Sequence, residues 1–361
     1  MMIMFGAGGT GGHISPALSI ARELIANDCK VCFVGNKNSL ESKMCAESGL
    51  SFLPIYVQKL YRKITIAHLA FPYHLINSTF SVCKYIRQYR PDLVFCTGGF
   101  VSGPVAIAAI ITKTPLYFHE SNSFPGITIR LLGRYAKQIF TASDSVSRFF
   151  PAHKTTKVGI PINAAITTPH PFDPAAFGMS QTAPKLLIVG GSQGSLAINK
   201  TIDHIVPDLL NDGYEVFWQT GKSSYDLYSQ KYSNTKGVFI FGFSQDLPTF
   251  YQNSTLAIAR AGAMTISELE AVKLPAILIP LPTSAENHQY HNAVEQQQKG
   301  LAVLLEQKSL TPATLRELIR HLNDNHDEFV NRLNSLPENK SVTRIVSILL
   351  PNHNEARNIT C

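Results

Sequence analysis

A short apolar strand, a glycine-rich loop and an amphipathic helix occur in that order twice in this chain. Ile3–Phe5 runs into GAGGTGGH, residues 6–13, and then into a helix with Ala17, Leu18, Ala21, Leu24 and Ile25 at helical spacing. Leu186–Val189 runs into GGSQGS, residues 190–195, and then into a helix carrying Ile198, Ile202, Ile205 and Leu209. Strand, glycine loop and helix in sequence open a doubly wound parallel-sheet unit, in which backbone N–H groups at the helix N-terminus face whatever lies beyond the strand. Two openings in 361 residues predict two α/β domains, because one core seldom grows past about 250–300 residues.

The remaining pattern agrees. Apolar runs at Val31–Val34, Leu93–Cys96, Leu116–Phe118, Ile139–Thr141 and near Val158 alternate with helical patterns, as do Val216–Trp218, Val238–Phe241, Leu256–Ala259 and Ala276–Ile279 after the second loop. Such alternation builds parallel sheets through βαβ crossovers. The stretch PHPFDPAAFGMSQTAP, residues 169–184, has four prolines and little periodicity and reads as a connection. A last amphipathic segment places Val342, Ile345, Val346 and Leu349 on one helical face.

A hydrophobic content of 45% with 16% charged residues excludes a disordered chain. The longest apolar run, Val105–Ile111, is closed by Lys113 and Pro115, well short of the roughly 20 residues that span a bilayer. The N-terminus lacks the basic region of a secretory signal, so a cytoplasmic or peripheral protein is expected. Six cysteines are scattered, and the CxxC at Cys29 and Cys32 lies on a strand without a second pair, which predicts reduced, structural thiols. The net charge of +7 points to an acidic partner: nucleic acid, anionic lipid or a phosphate-bearing ligand.

Gly6-x-Gly8-x-x-Gly11 has the spacing of a dinucleotide fingerprint. A nicotinamide site wants an acid at the end of the second strand, about 20 residues on, to hold the ribose; here that end reads Val34-Gly35-Asn36-Lys37. A third glycine loop, GGFVSGP at 98–104, and the segment HESNSFPG at 119–126 also follow strands. His13 stands beside a helix start, suited to proton transfer or ligand contact, and His119, Glu120 and Asn122 leave the carboxyl end of a strand. In ARAGAMTISELEA, Thr265 is placed to cap a helix, and Glu268 either complements its dipole or grips the vicinal hydroxyls of a ribose. His288 and His291, three apart, lack a third ligand, so no metal site is expected.

GAGGTGGHISPAL, GGFVSGP, HESNSFPG, GGSQGS, ARAGAMTISELEAVKLPAILIPLP and ENHQYHNA resemble, in order, the signature segments of the MurG family of peptidoglycan N-acetylglucosaminyltransferases. The resemblance covers nearly the whole chain. It implies the GT-B fold, two Rossmann-like parallel-sheet domains facing across a cleft: residues 1–162 with the closing helix in 340–361, and 163–339. It further implies inverting transfer of N-acetylglucosamine from UDP-N-acetylglucosamine to the 4-hydroxyl of the muramyl sugar of lipid I. A GT-B enzyme with another lipid acceptor, such as diacylglycerol, is the alternative.

By the same resemblance His13 is the general base. Thr10, Gly11, Gly12, Asn122, Asn163, Ser192, Ser244, Ala263, Met264, Thr265, Ile266, Ser267, Glu268 and Gln289 match donor-binding positions, and Gly98, Gly99, Ser102, Gly103 and Glu120, with the loop 8–13, match the region of the acceptor and its diphosphate. The implied partners are UDP-N-acetylglucosamine, lipid I, an anionic phospholipid surface and cell-wall synthesis proteins, with no nucleic acid, metal or cofactor. Two departures stand out. A family arginine is Asn163 here, which removes a charge-assisted contact, and His288 occupies a frequent glutamine position. Lys59, Arg62 and Lys63 beside Phe71, Tyr73, Leu75, Ile76 and Phe80 predict peripheral attachment to the cytoplasmic face of the inner membrane, against the alternative of ordinary helix packing.

Overall fold

The computed structural model describes residues 1–58, 67–122, 124–191, 193–242, 244, 246–284 and 287–351. They form two units, Met1–Asn163 with Asn339–Cys361, and Ala164–Glu338.

Unit 1 runs β1 (Met2–Ala7), α1 (Gly11–Ala26), β2 (Lys30–Asn36), α2 (Leu40–Glu47), β3 (Ser51–Ile55), α3 (Ala67–Tyr89), β4 (Leu93–Gly98), α4 (Ser102–Ile111), β5 (Leu116–Glu120), α5 (Ile127–Leu132), β6 (Gln138–Thr141) and β7 (Thr155–Lys157). Its seven strands are parallel, in the order β3-β2-β1-β4-β5-β6-β7. Alternation along β1 sends Ile3 and Phe5 to one face and Met4 to the other, and both faces are covered, so every one of these side chains is fully buried. Phe5 stacks on Phe33 at 5.0 Å and meets Phe95 at 5.4 Å, filling the sheet centre.

Unit 2 runs β8 (Lys185–Val189), α6 (Leu196–Asn211), β9 (Glu215–Gln219), α7 (Lys222–Lys231), β10 (Val238–Phe241), α8 (Leu247–Gln252), β11 (Leu256–Ala259), α9 (Ala263–Ala271), β12 (Ala276–Leu278), α10 (His288–Gln298), β13 (Ala302–Leu304), α11 (Pro312–Asp324) and α12 (His326–Asn334). Its six parallel strands follow the order β10-β9-β8-β11-β12-β13. Phe177, Phe217, Phe239 and Phe250 pack ring against ring on one face, while Trp218 on the other donates its indole N–H to Asn199 Oδ1 at 3.0 Å. The final helix, α13 (Ser341–Leu349), returns to unit 1, where Ile345, Val346 and Leu349 bury against α1. Each such side chain contributes about 1.5–3 kcal/mol.

In each sheet the crossovers reverse direction between two adjacent strands: β1 beside β4, and β8 beside β11. Loops leaving the carboxyl ends of such a pair part to opposite faces and open a crevice where ligands bind. The glycine loops after β1, β4 and β8 stand at these two points.

Several expectations need correction. β3 and β13 carried no clear signal, β3 because Pro54 interrupts an edge strand and β13 because it is three residues long. The strand placed near Val158 is Thr155–Lys157. Thr265 does not cap its helix: α9 begins at Ala263, Gly262 takes the extended cap conformation without a side-chain bond, and Thr265 is already in the first turn. The described cysteines are free and buried. Among the described residues no helix is long and apolar enough to cross a membrane.

Candidate active site

In unit 1 the first turn of α1 brings His13 against the end of β4. His13 Nδ1 lies 3.0 Å from the Thr97 carbonyl oxygen, and the Thr97 hydroxyl donates back to the His13 carbonyl at 2.6 Å. A carbonyl only accepts, so Nδ1 carries a proton in this contact, and Nε2 is the ring's other nitrogen. Gly98 has φ +102°, and a Cβ there would stand 2.8 Å from His13 Nδ1. Glycine is required at that position for both reasons. The Ser102 hydroxyl is spent inside the fold: it accepts the Gly98 N–H at 3.0 Å and lies 2.8 Å from Gly6 O, stapling the β4 loop to β1. Gly99 and Gly103 stay half-exposed beside it. Thr10 and Gly12 are exposed at the α1 N-terminus, with Gly11 between them, and Thr10 makes no side-chain cap bond.

The β5 end builds a second wall. His119 is fully buried, with Nε2 2.9 Å from Gly159 O and Nδ1 3.3 Å from the Ser121 hydroxyl; burial pushes its pKa down to about 4 and keeps it neutral. Glu120 accepts from Asn122 N at 2.9 Å, Asn122 Nδ2 at 3.0 Å and Gly126 N at 2.9 Å. Desolvation raises its pKa against those bonds. Glu120 thus holds the loop that presents Asn122 rather than facing a ligand with a spare oxygen. Asn163, half-buried, closes the first segment of unit 1.

Two unit 1 residues escaped the sequence reading. Glu41, in the first turn of α2, is 1% exposed and accepts from Asn36 N at 3.1 Å and Gly9 N at 3.4 Å. Thr97 lies one residue beyond the apolar run Leu93–Cys96. Neither carries a motif. The one available signal for Glu41 was the Ser39 cap three residues after the β2 end, which folds α2 back toward β1.

In unit 2 the loop after β8 turns into α6. Gly194, at φ +75°, comes so close to the β9 loop that a Cβ would meet Thr220 O at 2.1 Å. Ser195 caps α6 by accepting the Ile198 N–H at 3.3 Å. Its hydroxyl oxygen also accepts from Arg260 Nη2 at 2.7 Å. Arg260 follows β11, is 8% exposed, and donates to Ile279 O at 3.0 Å, Pro280 O at 3.1 Å and Gln307 Oε1 at 2.6 Å. Every acceptor is neutral, and burial lowers its pKa to about 10, so a full positive charge sits beside the glycine loop. A charged residue directly after an apolar strand was the legible sign of it.

Glu268, half-buried in α9, accepts from the Tyr251 hydroxyl at 3.0 Å; desolvation raises its pKa to about 7 and the Tyr251 bond opposes the rise. Ala263, Met264 and Thr265 are half-exposed with it, whereas Ile266 and Ser267 turn inward. Gln289 accepts the Leu281 N–H through Oε1 at 2.9 Å. Ser244 accepts from Asp246 N at 2.9 Å and donates to Asp246 Oδ2 at 3.1 Å, shaping the loop after β10. Ser192 lies outside the described residues.

The N-terminal domain of glycosyltransferase family 28 matches residues 3–141 and its C-terminal domain residues 185–346. A UDP-N-acetylglucosamine–N-acetylmuramyl-(pentapeptide) pyrophosphoryl-undecaprenol N-acetylglucosamine transferase from an Exiguobacterium species is 33% identical over 93% of this chain and 95% of its own. One of the same name from Finegoldia magna is 34% identical over 94% and 93%. Among solved structures, MurG of Acinetobacter baumannii superimposes with a TM-score of 0.71 at 26% identity, over 96% of this chain and 98% of that one. The calicheamicin glycosyltransferase CalG4, 14% identical with a TM-score of 0.68, shares the fold.

Proposed function

This chain belongs to glycosyltransferase family 28 and has the GT-B fold, and from that premise we propose how its two half-sites divide one reaction. It is a UDP-N-acetylglucosamine-dependent N-acetylglucosaminyltransferase of peptidoglycan synthesis, with lipid I as acceptor. Unit 1 receives the acceptor and contacts the donor's sugar, and unit 2 holds the donor's nucleotide.

The observation that carries this division is the His13 ring, held by Nδ1 against Thr97 O at the α1 N-terminus. His13 takes the proton of the acceptor 4-hydroxyl as its oxygen bonds the anomeric carbon. The bond from that carbon to UDP breaks, and the electron pair leaves on the diphosphate. Inversion follows from that single in-line displacement. The leaving charge is met by N–H groups at the α6 N-terminus and by Arg260, which offsets the charge absent at Asn163. Ser192 contacts the diphosphate. Glu268 grips the ribose hydroxyls, the backbone at Ser244 faces uracil, Ala263 to Ser267 line the nucleotide, and Gln289 with Thr10, Gly11, Gly12 and Asn122 addresses the donor sugar. Gly98, Gly99, Ser102, Gly103 and Glu120 shape the floor for the acceptor.

Attachment to the cytoplasmic face of the membrane is part of the same reading, because the acceptor is a lipid. Tyr73, Ile76 and Phe80 are 68%, 70% and 66% exposed on one side of α3, while Ser78, Val82 and Ile86 are buried, so these three side chains are not taken up in packing against the sheet. Lys59, Arg62 and Lys63 lie outside the described residues. Contacts with other cell-wall synthesis proteins belong to this proposal as well.

The test is transfer of labelled N-acetylglucosamine from its UDP donor to a lipid I analogue. Native transfer that drops by about 10²-fold or more in His13→Ala, with UDP affinity retained, supports the assignment. Undiminished transfer by the variant removes His13 as the base.

A further inference from the structure

The two points of strand reversal carry buried charges of opposite sign. Beside the loop 190–194 stands Arg260; beside the loop 8–10 stands Glu41. No cation among the described residues pairs with Glu41, and both its oxygens accept backbone N–H groups. The closeness is enforced: a Cβ on Gly8 would come within 2.9 Å of Glu41 Oε1.

Magnitudes decide what each loop accepts. A helix N-terminus is equivalent to about +0.5 of an elementary charge. Adding Arg260 makes the α6 loop about +1.5, while adding the Glu41 carboxylate makes the α1 loop about −0.5. Gly9 N–H, which a phosphate oxygen would otherwise engage, already donates to an anion.

We propose that Glu41 is a specificity-determining residue that makes the first glycine loop exclude anions, so that neither the donor's nor the acceptor's diphosphate rests on Gly8–Thr10. The loop is reserved for the uncharged, hydroxyl-bearing face of a sugar beside His13. This narrows the placement expected from the resemblance, in which loop 8–13 shares the acceptor diphosphate, and leaves that group to the loop 98–104. The inference rests on the assignment of unit 1 to the acceptor.

The probe is inorganic pyrophosphate, titrated calorimetrically into the full-length protein with and without saturating UDP. UDP should displace pyrophosphate from the α6 loop of the native chain, and the UDP-saturated native chain should take up no more than the one equivalent that the loop 98–104 holds. UDP-saturated Glu41→Gln should take up one equivalent more than the native chain. Glu41→Met, of similar volume and no charge, replaces it should the first variant fail to fold. Equal behaviour of native and neutral variants under UDP, whether all bind or none does, overturns the proposal. Transfer to lipid I by the native chain is scored in the same preparation; its absence would count against the functional assignment and not against the charge of the loop.

Discussion

Arg260 Nη2 donates to Ser195 Oγ at 2.7 Å, and that oxygen also accepts the N–H of Ile198 that begins α6. The bond joins the loop after β11 to the loop after β8, the two loops that separate at the reversal of strand order in unit 2. A buried guanidinium with four neutral acceptors is costly to maintain without a counter-charge, which fits a site completed by an anionic ligand. The same cation orients the helix cap and supplies the field.

Removing that side chain should separate the two roles. Arg260→Ala leaves Ser195 Oγ, Gln307 Oε1 and two carbonyls without their donor, at a cost of about 2–4 kcal/mol in denaturant unfolding. Arg260→Lys keeps the charge and loses the bridge. The ratio of UDP to uridine affinity should fall by about tenfold or more in Arg260→Ala and stay closer to native in Arg260→Lys. Equal weakening of UDP and uridine would mean that Arg260 is only a scaffold.

Gly98→Ala tests the placement of His13 without touching its chemistry. The added methyl meets Nδ1 at 2.8 Å in a backbone conformation that disfavours a side chain, so the ring must leave the Thr97 carbonyl. The turnover number should drop by about 10²-fold while UDP affinity, which the proposed reading assigns to unit 2, holds. Native turnover with a displaced ring would dissociate the Thr97 contact from catalysis.

The sequence carried the two doubly wound units because their central strands are long apolar runs that end in glycine loops, a pattern set by burial on both faces. It failed at β3 and β13, where edge position and brevity leave no periodicity, and at Thr265, where a hydroxyl near a helix start looked like a cap although Gly262 already fills that place. Candidate site residues embedded in loop motifs, such as His13 and Glu268, can be named from the sequence. Glu41, Thr97 and Tyr251 cannot, since what they do depends on long-range contacts: Glu41 reaches Gly9 across 32 residues and Thr97 reaches His13 across 84.

The apolar stripe on α3 gives a prediction with no stability component. Changing Tyr73, Ile76 and Phe80 together to Ser should leave the melting temperature within a few degrees of native, since all three are exposed, and should reduce co-sedimentation with vesicles containing anionic phospholipid. Unchanged sedimentation would assign the stripe to a protein partner instead.

Glu268 supplies a pH dependence whose sign is set by its environment. Desolvation raises its pKa from the usual carboxylate range to about 7, so the folded, ligand-free protein favours the protonated form. The contribution to stability is therefore fully present below about pH 4.3, the unfolded value, and is lost as pH rises through about 7. Donor binding runs the other way. Two ribose hydroxyls need an ionised acceptor, so UDP affinity should climb by up to about tenfold per pH unit below 7 and level off above it. Glu268→Gln should flatten that limb and controls for titration of UDP itself. Tyr251→Phe removes the hydroxyl that favours the ionised carboxylate, so the midpoint should move upward. A pH profile of UDP binding that is the same in native and Glu268→Gln proteins would detach Glu268 from the ribose.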